Sequence, residues 1–484
     1  MLLEDLVPAE VSLPEGAGSI EIKGVSADSR TVDAHYLFAA LPGVAADGAR
    51  FAGEAVAKGA VAILAGRDAT IEAEVPVLRA DDPRRALALV ASRFRSFQPP
   101  HLVAVTGTSG KTSVVEFARQ IFAATGHKAA SIGTLGVVTD DGTDYGTLTT
   151  PDPVALHGLL DRLYEAGISH AAIEASSQGL DQRRVDGLRL EAAAFTNLGR
   201  DHMDYHPTVE AYLAAKLRLF EVVLPPTGVA VIDMDGAHAA EVEKVATERG
   251  QILIRVGRKG EELKLLSLTP KGFRQTLVVN AFGKEREIVL PLAGAFQASN
   301  ALTAAGLAIG AGIAADEALD ALKDLKGAPG RLELVGSKPN GAMVFIDYAH
   351  KPDALVSALS ALRPMTEGLL FVVFGAGGNR DAGKRPLMGA AAHANADVVI
   401  ISDDNPRLED AAAIRKAIAD AAPDAIEIGD RGEAIRRAIK MLGSGDVLCV
   451  AGKGHETGQI VGTVTIPFSD RDTVATALAA EEAA

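Results

Sequence analysis

The sequence predicts an α/β protein of three domains, in which the second and third domains contain mainly parallel sheets and the first is smaller. Its 484 residues correspond to roughly three domains at ~150 residues each. Proline-marked seams occur at residues 99–100 and 329–330, and such positions are typical of linkers. Apolar runs of strand length alternate with helix-like segments, which is the pattern of parallel sheets. We therefore expect domains at residues 1–98, 99–328 and 329–484.

Composition and charge narrow the class of protein. The formal net charge is -15, with a sequence pI near 5.3, so nonspecific binding to nucleic acid is disfavoured. Cys449 is the one cysteine, which excludes an intrachain disulfide and a cysteine metal cluster. The start of the chain carries Glu4 and Asp5 where a secretory signal needs cations, and no apolar run approaches ~18 residues. We expect a cytoplasmic monomer that binds neither nucleic acid nor a membrane.

The predicted elements follow one another in an α/β order. In the first domain VAILAG resembles a strand, and a helix begins at Pro83. In the second, the strand HLVAV is followed by a glycine loop and by a helix that ends near Gly126. Further strand-like runs occupy residues 171–175, 192–197, 228–233, 343–347, 369–375, 397–403 and 446–452.

The last four of these runs end in the polar motifs DYAH, GAGGNRD, DDNPR and GKGHE. Ligands of open parallel sheets bind beyond the carboxyl ends of the strands, so the four motifs indicate a shared crevice. In GAGGNRD, Arg380 stands where a GxGxxG dinucleotide motif needs its last glycine, and we reject such a site. Arg380 is either a ligand of a carboxylate or phosphate, or a solvated loop residue.

The segment TGTSGKTS at residues 106–113 is the most specific candidate site. Gly107 and Gly110 allow the backbone to approach phosphate oxygens, and the following helix directs its amides at the anion. Lys111 would neutralise the outer phosphates, and the hydroxyl of Thr112 would hold magnesium. The strict GxxxxGK[ST] pattern is missed because Val105 occupies its first glycine position. The alternative is a chance glycine-rich turn before a helix.

Candidate magnesium ligands follow two other strands of the same predicted sheet. Glu174 ends one strand, and Asp201, His202 and Asp204 lie just beyond another. Magnesium prefers hard oxygen ligands and takes few from the protein. Glu174 could instead be an exposed strand-end charge, and His202 and His206 could be ordinary surface or capping residues. Beside a phosphate loop, metal binding is the better interpretation for Glu174 and His202.

Lys216 is expected to lie on the apolar side of a helix. In TVEAYLAAKLRLFEVV, the residues three or four positions from it are Tyr212, Leu213, Leu219 and Phe220. The side chain could snorkel outward. Alternatively, burial would lower its pKa and give a neutral amine that adds carbon dioxide. The resulting carbamate would offer two oxygens to a second magnesium ion.

Together the motifs resemble those of one family, the ATP-dependent Mur ligases of peptidoglycan synthesis. The resemblance covers nearly the whole chain. It rests, in this order, on TGTSGKTS, TLTTPDP, EASSQGLDQRRV, FTNLGRDHMDYH, the Lys216 helix, GAFQASN, GAPGRLE, DYAHKPDAL, GAGGNRDAGKRPLMG, DDNPR and AGKGHE. It implies an amino-terminal domain for the uridine diphosphate end of a substrate, a central P-loop ATPase-like domain, and a carboxyl-terminal Rossmann-like domain for an incoming amino acid.

The resemblance also implies roles for individual residues. Lys111, Lys216 and His202 would be catalytic. The implied ATP-binding residues are Thr106, Gly107, Thr108, Ser109, Gly110, Lys111, Thr112, Ser113, Asn300, Arg331 and Asp347. The implied Mg²⁺ ligands are Thr112, Glu174, His202 and Lys216, the last as carbamylated lysine (N6-carboxylysine). The residues implied for the UDP-sugar dipeptide are Ser29, Thr149, Thr150, Ser176, Gln182 and Arg184.

The choice of amino acid is expected to depend on DDNPR. Diaminopimelate carries one carboxylate more than lysine, and the fork-shaped cation of Arg407 suits it. Family members that select lysine lack this arginine, so the resemblance implies meso-2,6-diaminopimelate. The implied pocket residues are Arg380, Asp404, Asn405, Pro406, Arg407, Gly452 and Glu456. Gln178 and Gln297 depart from the more common residues of the family, which leaves fine substrate contacts open.

The implied reaction is ATP-dependent ligation of meso-diaminopimelate to UDP-N-acetylmuramoyl-L-alanyl-D-glutamate through an acyl phosphate. We expect domain closure to assemble the site, because its groups are divided by the two seams. The rivals are the other Mur ligases and folylpolyglutamate synthase, which shares the chemistry but uses folate. An alternative from another class is a nucleotide-switched binding protein, which could contain TGTSGKTS and hydrolyse ATP slowly without ligating any substrate.

Overall fold

The computed structural model describes residues 1–43, 47–144, 148–199, 201–203 and 205–482, so Asp204 lies outside the described residues. It forms two compact units. The first contains Met1–Lys264, Ala281–Gly283 and Leu302–Ala321, and the second contains Leu265–Asn280, Lys284–Ala301 and Leu322–Ala484. The expected fold, three α/β domains with mainly parallel sheets, is confirmed. The exact boundaries at residues 98 and 328 stay predictions.

The amino-terminal domain is a small parallel sheet with short helices. Its elements are α1 (Leu3–Leu6), β1 (Gly24–Ser26), β2 (Tyr36–Ala40), α2 (Ala52–Ala57), β3 (Ala60–Gly66), β4 (Val77–Ala80) and α3 (Pro83–Phe94). The strand order is β1-β2-β3-β4, and all pairs are parallel. Helix α3 begins as the sequence predicts, because Asp82 accepts a hydrogen bond from the Arg85 amide and Pro83 occupies the first turn.

The central domain is built around a longer, largely parallel sheet. Its elements are β5 (His101–Thr106), α4 (Lys111–Ala124), β6 (Ala129–Gly133), β7 (Gly136–Thr139), β8 (Gly142–Asp144), α5 (Pro153–Glu165), β9 (His170–Glu174), α6 (Ser177–Asp181), β10 (Ala192–Phe195), α7 (Val209–Arg218), β11 (Val229–Asp233), α8 (Ala239–Glu248) and β12 (Ile252–Gly257). These strands lie in the order β12-β11-β10-β5-β9-β6-β7-β8, in which the pairs β6–β7 and β7–β8 are antiparallel and the other pairs are parallel. Every residue of β9 and β10 is buried, as expected for a parallel sheet covered on both faces.

One buried carboxylate links the amino-terminal and central domains. Asp186, whose side chain is fully buried, accepts a hydrogen bond from Arg85 of α3 at 2.8 Å. The same carboxylate accepts bonds of 3.1 and 3.2 Å from Arg218, at the end of α7. A second pair joins Arg183 to Asp82 at 2.8 Å. Five charged groups therefore join the start of α3 to the central domain, and one of them, Arg218, belongs to the helix that carries Lys216.

The second unit contains the carboxyl-terminal sheet and most of three consecutive strands that precede it. These strands are β13 (Leu263–Lys271), β14 (Arg274–Ala281) and β15 (Lys284–Leu290), followed by α9 (Ala295–Gly310); β13, β14 and α9 also have residues in the first unit, and α10 (Ala315–Asp320) lies wholly in the first unit. The carboxyl-terminal elements are β16 (Glu333–Ser337), β17 (Met343–Asp347), α11 (Pro352–Leu362), β18 (Leu370–Phe374), α12 (Lys384–Asn395), β19 (Val398–Ile401), α13 (Ala411–Ala419), β20 (Ile426–Glu427), α14 (Arg431–Met441), β21 (Val447–Ala451), β22 (Gly458–Val461), β23 (Val464–Pro467) and α15 (Asp470–Glu482).

The carboxyl-terminal sheet has the order β16-β17-β21-β18-β19-β20, and its pairs are parallel except β16 with β17. A fully buried ion pair fastens the last helix to it: Arg431 of α14 donates two hydrogen bonds of 2.7 Å to Asp470 of α15. Within the described ranges, none of the helices is long and apolar enough to cross a membrane.

Candidate active site

The phosphate loop connects β5 to α4 as the sequence predicts. Gly107 has φ +149° and Gly110 has φ +89°, and glycine adopts such backbone conformations most readily. Helix α4 begins at Lys111, so its free amides lie at the loop. The side chains of Thr112 and Ser113 are 5% and 4% exposed at the start of the helix.

The loop is held from the neighbouring strand β10. Thr196 donates a hydrogen bond from Oγ1 to the Ser109 carbonyl at 2.7 Å, and the Ser109 amide donates to Asn197 Oδ1 at 3.0 Å. The Thr108 amide donates to the Asn197 carbonyl at 2.9 Å. A Cβ on Gly107 would lie 1.9 Å from Thr196 Oγ1. Sequence reasoning missed this role of Thr196 and Asn197, although both belong to the FTN that ends a predicted strand.

Two lysines meet beside this loop. Lys111 Nζ donates to the carbonyls of Gly107 and Thr108 at 2.9 and 3.0 Å. Lys216 Nζ donates to the same Gly107 carbonyl at 2.7 Å and lies 4.5 Å from the centre of the Tyr212 ring. Because Lys216 is 1% exposed, the alternative that it snorkels outward is wrong. Burial, and then the charge of Lys111, lower the pKa of Lys216 well below its usual value.

Glu174 lies at the end of β9 and faces inward. It is 1% exposed, so the alternative of an exposed strand-end charge is wrong. Its Oε1 accepts a hydrogen bond of 2.8 Å from the Thr134 amide, and a Cβ on Gly133 would lie 2.2 Å from the same oxygen. Because Gly133 has no side chain, there is room for the Glu174 carboxylate at this position.

The histidines beyond β10 differ in exposure. The His202 side chain is 44% exposed, and its Nε2 lies 3.5 Å from Asp201 Oδ2. His206 is 4% exposed, and its backbone amide donates to the His202 carbonyl at 2.8 Å. The donor chemistry of the Thr112 hydroxyl and the Glu174 carboxylate fits magnesium, which prefers hard oxygen ligands. Among the side chains that the structure describes, no group of three or more His, Cys, Asp or Glu is arranged to hold a metal ion by itself.

The structure brings together five of the six residues implied for the UDP-sugar dipeptide. Thr150 donates to the Glu174 carbonyl at 2.8 Å and to Ser176 Oγ at 3.0 Å. Arg184 donates to the Thr150 carbonyl at 2.8 Å and to Gln182 Oε1 at 2.7 Å. The Thr149 hydroxyl lies 3.2 Å from that of Thr134, next to Glu174. This group adjoins the candidate metal ligand Glu174.

Two further observations complete that group. Tyr205, which sequence reasoning missed, accepts a hydrogen bond from Gln182 at 3.2 Å and donates one to Asp181 at 2.7 Å. Ser29, the sixth residue, lies in the amino-terminal domain, where its hydroxyl donates to Glu54 at 3.1 Å.

In the second unit, Asn300, Arg331 and Asp347 are connected through neighbours. Asn300 donates to Gln297 Oε1 at 3.1 Å, and Gln297 donates to the Arg331 carbonyl at 3.2 Å. The Arg331 guanidinium lies 4.5 Å from the centre of the Tyr348 ring. Asp347 accepts backbone hydrogen bonds of 2.6 and 2.7 Å, while burial, opposed by Arg331, raises its pKa. Gln297, a departure from the family pattern, thus links two of the implied nucleotide residues.

The amino-acid motifs also converge within the second unit. Arg407 has φ +52° and donates from Nη1 to the Gly378 carbonyl at 2.9 Å. Asn405 donates from Nδ2 to Glu456 Oε2 at 2.9 Å. A Cβ on Gly452 would lie 2.8 Å from Asp404 Oδ2, so the glycine admits that carboxylate.

The remaining members of this pocket differ in their surroundings. Pro406 places its carbonyl against Gly378, where a Cβ would lie 1.9 Å away. Arg380 is exposed. Lys453, which sequence reasoning missed, is completely buried among these groups.

Comparison with known proteins gives the class of this fold and site. Three family models match in chain order: "Mur ligase family, catalytic domain" at residues 21–95, "Mur ligase middle domain" at 105–308, and "Mur ligase, glutamate ligase domain" at 330–454. The chain belongs to the Mur ligase family.

Its relatives are more specific. The chain is 55% identical over 480 residues to the UDP-N-acetylmuramoyl-L-alanyl-D-glutamate--2,6-diaminopimelate ligase of Brucella melitensis, covering 99% of this chain and 97% of that protein. It is 55% identical over 487 residues to the ligase of the same name from Bradyrhizobium diazoefficiens, covering all of both chains. A solved structure of a ligase of that name is 31% identical, with a TM-score of 0.75, over 100% of this chain and 99% of the other.

Proposed function

We propose that this chain ligates meso-2,6-diaminopimelate to UDP-N-acetylmuramoyl-L-alanyl-D-glutamate in an ATP-dependent reaction, which forms the UDP-linked tripeptide for peptidoglycan synthesis. One observation carries the proposal: the complete phosphate loop, with the buried Lys216 beside Lys111, belongs to a chain 55% identical over its whole length to ligases of that name.

The chemistry of amide formation explains the need for the phosphate loop. A carboxylate does not react with an amine until its oxygen becomes part of a leaving group. The γ-carboxylate of the D-glutamate attacks the terminal phosphorus of ATP, which gives an acyl phosphate and ADP. The free amine of diaminopimelate then attacks the acyl carbon, and the tetrahedral intermediate expels phosphate and loses a proton. Protein groups therefore act by positioning and charge neutralisation.

The residues of the first unit divide these tasks. Backbone amides of the loop and the start of α4 bind phosphate oxygens, with Lys111 placed to neutralise them. Thr112, Glu174, His202 and Lys216 would hold magnesium, which would neutralise further phosphate charge when bound. Lys216 serves as the carbamylated residue: its buried amine adds carbon dioxide and releases a proton, and so becomes an anion with two oxygens.

Substrate recognition is divided between the two units. Ser29, Thr149, Thr150, Ser176, Gln182 and Arg184 bind the UDP-sugar dipeptide. In the second unit, Asn300, Arg331 and Asp347 bind the nucleotide. The pocket of Arg380, Asp404, Asn405, Pro406, Arg407, Gly452 and Glu456 binds diaminopimelate, with Arg407 on the carboxylate that lysine lacks. We further propose that the enzyme acts in the cytoplasm as a monomer.

Product mass and phosphate release test the proposal together. The protein is incubated with ATP, Mg²⁺ and UDP-N-acetylmuramoyl-L-alanyl-D-glutamate against a panel of amino acids, and each component is omitted in turn. Phosphate release that needs both the UDP-dipeptide and diaminopimelate, with the tripeptide mass as product, supports the ligase. A nucleotide switch releases phosphate without either substrate, and a folate ligase requires folate and glutamate instead. Either of those results overturns the proposal.

A further inference from the structure

Lys453 is a buried cation that the functions above do not use. It follows β21 in the motif AGKGHE, and its side chain is completely inaccessible. Its Nζ donates to Asn405 Oδ1 at 3.1 Å and to Glu456 Oε2 at 2.8 Å. Buried lysines are rare unless they are paired, so this position needs a reason.

The contacts of Lys453 fix which way two polar groups of the pocket face. Asn405 Oδ1 also accepts a hydrogen bond of 2.9 Å from the Ile460 amide. A backbone N–H can only donate, so the Asn405 amide cannot be reversed, and its Nδ2 must donate to Glu456 Oε2 at 2.9 Å. Glu456 Oε2 is therefore occupied by two donors. The other carboxylate oxygen, Oε1, is left as the acceptor for a ligand.

Lys453 also sets the charge of the pocket. The carboxylates of the pocket are Asp404 and Glu456, and its guanidinium groups are the partly buried Arg407 and the exposed Arg380. Lys453 forms an ion pair of 2.8 Å with Glu456, whereas Arg431, the other buried cation nearby, forms its ion pair with Asp470. The buried or partly buried groups Asp404, Glu456, Arg407 and Lys453 sum to zero, and the exposed Arg380 adds one positive charge. A pocket with no excess negative charge, one ammonium acceptor and one carboxylate donor matches a zwitterionic amino-acid centre.

We propose that Lys453 is a positioning residue that makes this pocket select a zwitterionic centre over a lone ammonium. The inference rests on the proposed function and deepens it. Diaminopimelate presents an ammonium and a carboxylate at its distal centre, whereas lysine presents only an ammonium. Without Lys453, the pocket would carry one positive charge fewer, and Asp404 and Glu456 would be balanced only by Arg407 and the solvent-screened Arg380. The pocket would then hold a lone ammonium better than before, and Glu456 Oε2 would keep only its contact with Asn405.

The test compares kcat/KM for diaminopimelate and for lysine in wild type, Lys453→Met and Lys453→Gln. We expect the ratio of diaminopimelate to lysine to fall about tenfold or more in both variants, because the pocket then carries one positive charge fewer and holds the lone ammonium of lysine better. Lys338→Met is the matched control. Lys338 lies in the same unit, is 9% exposed, and forms an ion pair of 2.7 Å with Glu481. Loss of this ion pair should lower the stability of the protein without changing the ratio of kcat/KM for diaminopimelate to that for lysine.

Each result of these measurements supports or overturns the proposed role of Lys453. A folded Lys453→Met protein with the wild-type ratio overturns the role of Lys453, as does a shift of the same size in Lys338→Met. If turnover is too slow, dissociation constants for the two amino acids give the ratio. If neither Lys453 variant folds, Glu456→Gln is measured: it leaves Lys453 without its carboxylate, so the ratio should rise, and an unchanged ratio overturns the proposal. Wild-type protein that ligates neither amino acid overturns instead the proposed function itself.

Discussion

Lys111 and Lys216 donate hydrogen bonds to one and the same backbone oxygen, the carbonyl of Gly107, at 2.9 and 2.7 Å. Two ammonium groups sharing an acceptor repel each other, and Lys216 is the one that burial disfavours as a cation. The phosphate loop thus satisfies Lys111 internally in the described structure. A triphosphate must draw this amine away from the loop carbonyls in order to use its charge.

The first prediction concerns the chemical state of Lys216. Protein supplied with ¹³C-labelled bicarbonate should show a carbamate carbon signal by NMR, because a buried neutral amine next to Lys111 reacts with carbon dioxide to give a favourable anion. Lys216→Arg should lack the signal, and Lys128→Arg, an exposed residue of the same domain, should retain it. An unmodified amine in active protein contradicts the assignment.

Gly107→Ala should damage both the loop and the fold. The new Cβ would lie 1.9 Å from Thr196 Oγ1, and the φ of +149° is unfavourable for alanine. We expect the free energy of unfolding to fall by about 2–4 kcal/mol, together with loss of nearly all turnover. Gly126→Ala, at the other end of α4, has φ +88° but open space around its Cβ. Urea unfolding should show a loss of about 1 kcal/mol there, with turnover kept.

Arg407→Ala should reduce kcat/KM for diaminopimelate about a hundredfold or more, because it removes the proposed partner of the distal carboxylate. Arg407→Lys should restore only part of the loss, since an ammonium lacks the two-pronged geometry of the guanidinium. Steady-state kinetics at saturating ATP and UDP-dipeptide measures both. An unchanged kcat/KM for Arg407→Ala removes the residue from the pocket.

A cluster of three histidine rings makes stability depend on pH. The His170 ring lies 4.3 Å from that of His101 and 4.1 Å from that of His127, and Ser169 contacts its Nδ1 at 2.9 Å. Burial, followed by the charges of His101 and His127, lowers the pKa of His170 to about 4. The unfolded chain binds this proton near pH ~6.5, so the stabilisation is complete above that pH and is lost as the pH falls toward 4.

His170→Phe keeps a ring in the stack but removes the titration. Its free energy of unfolding should therefore fall less between pH 7 and pH 4.5 than that of wild type, by on the order of 1 kcal/mol after solvent screening. Chemical unfolding at a series of pH values measures the difference. His393→Gln, an exposed control, should follow the wild-type curve. Equal slopes in wild type and His170→Phe would contradict the depressed pKa.

The buried pair of Arg431 and Asp470 should behave as a unit. Asp470→Asn leaves the Arg431 guanidinium buried without a counter-charge, and we expect a loss of about 3–5 kcal/mol. In Arg431→Met with Asp470→Leu, both charges are replaced by apolar groups, and the loss should be much smaller. A double-mutant cycle measured by urea unfolding tests this. If the loss of unfolding free energy in the double variant equals the sum of the losses in the two single variants, the two groups do not interact.

The features that the sequence predicted correctly are those encoded by short stretches of consecutive residues. The loop 106–113 was predictable because its glycines, lysine and threonine are adjacent, and the strands because their apolar runs are continuous. The contacts of Thr196 and Asn197 depend on β10 lying beside β5, which are far apart in the chain. Such neighbours are set by sheet order, which local patterns do not encode.

The same limit applies to the amino-acid pocket. Lys453 is one residue of a recognised motif, but its burial and its partners Asn405 and Glu456 follow from three chain segments meeting. Periodicity, by contrast, was enough to place Lys216 on the apolar side of its helix, because that arrangement lies within one element. For His202 the sequence left metal binding and a surface position open, and the structure gives a side chain that is 44% exposed, on a residue with φ +53°.

The carboxylate of Asp186 is held by Arg85 of the amino-terminal domain and by Arg218 of the central domain, so it resists movement of one domain against the other. Swinging the amino-terminal domain about the stretch near Pro99 would strip a buried anion of a cation, an expensive rupture in a water-poor setting. These contacts therefore oppose hinge motion at that stretch, in contrast to the closure expected from the sequence at this seam. A nucleotide sugar bound to the amino-terminal domain would therefore be held at a fixed position relative to the helix that carries Lys216.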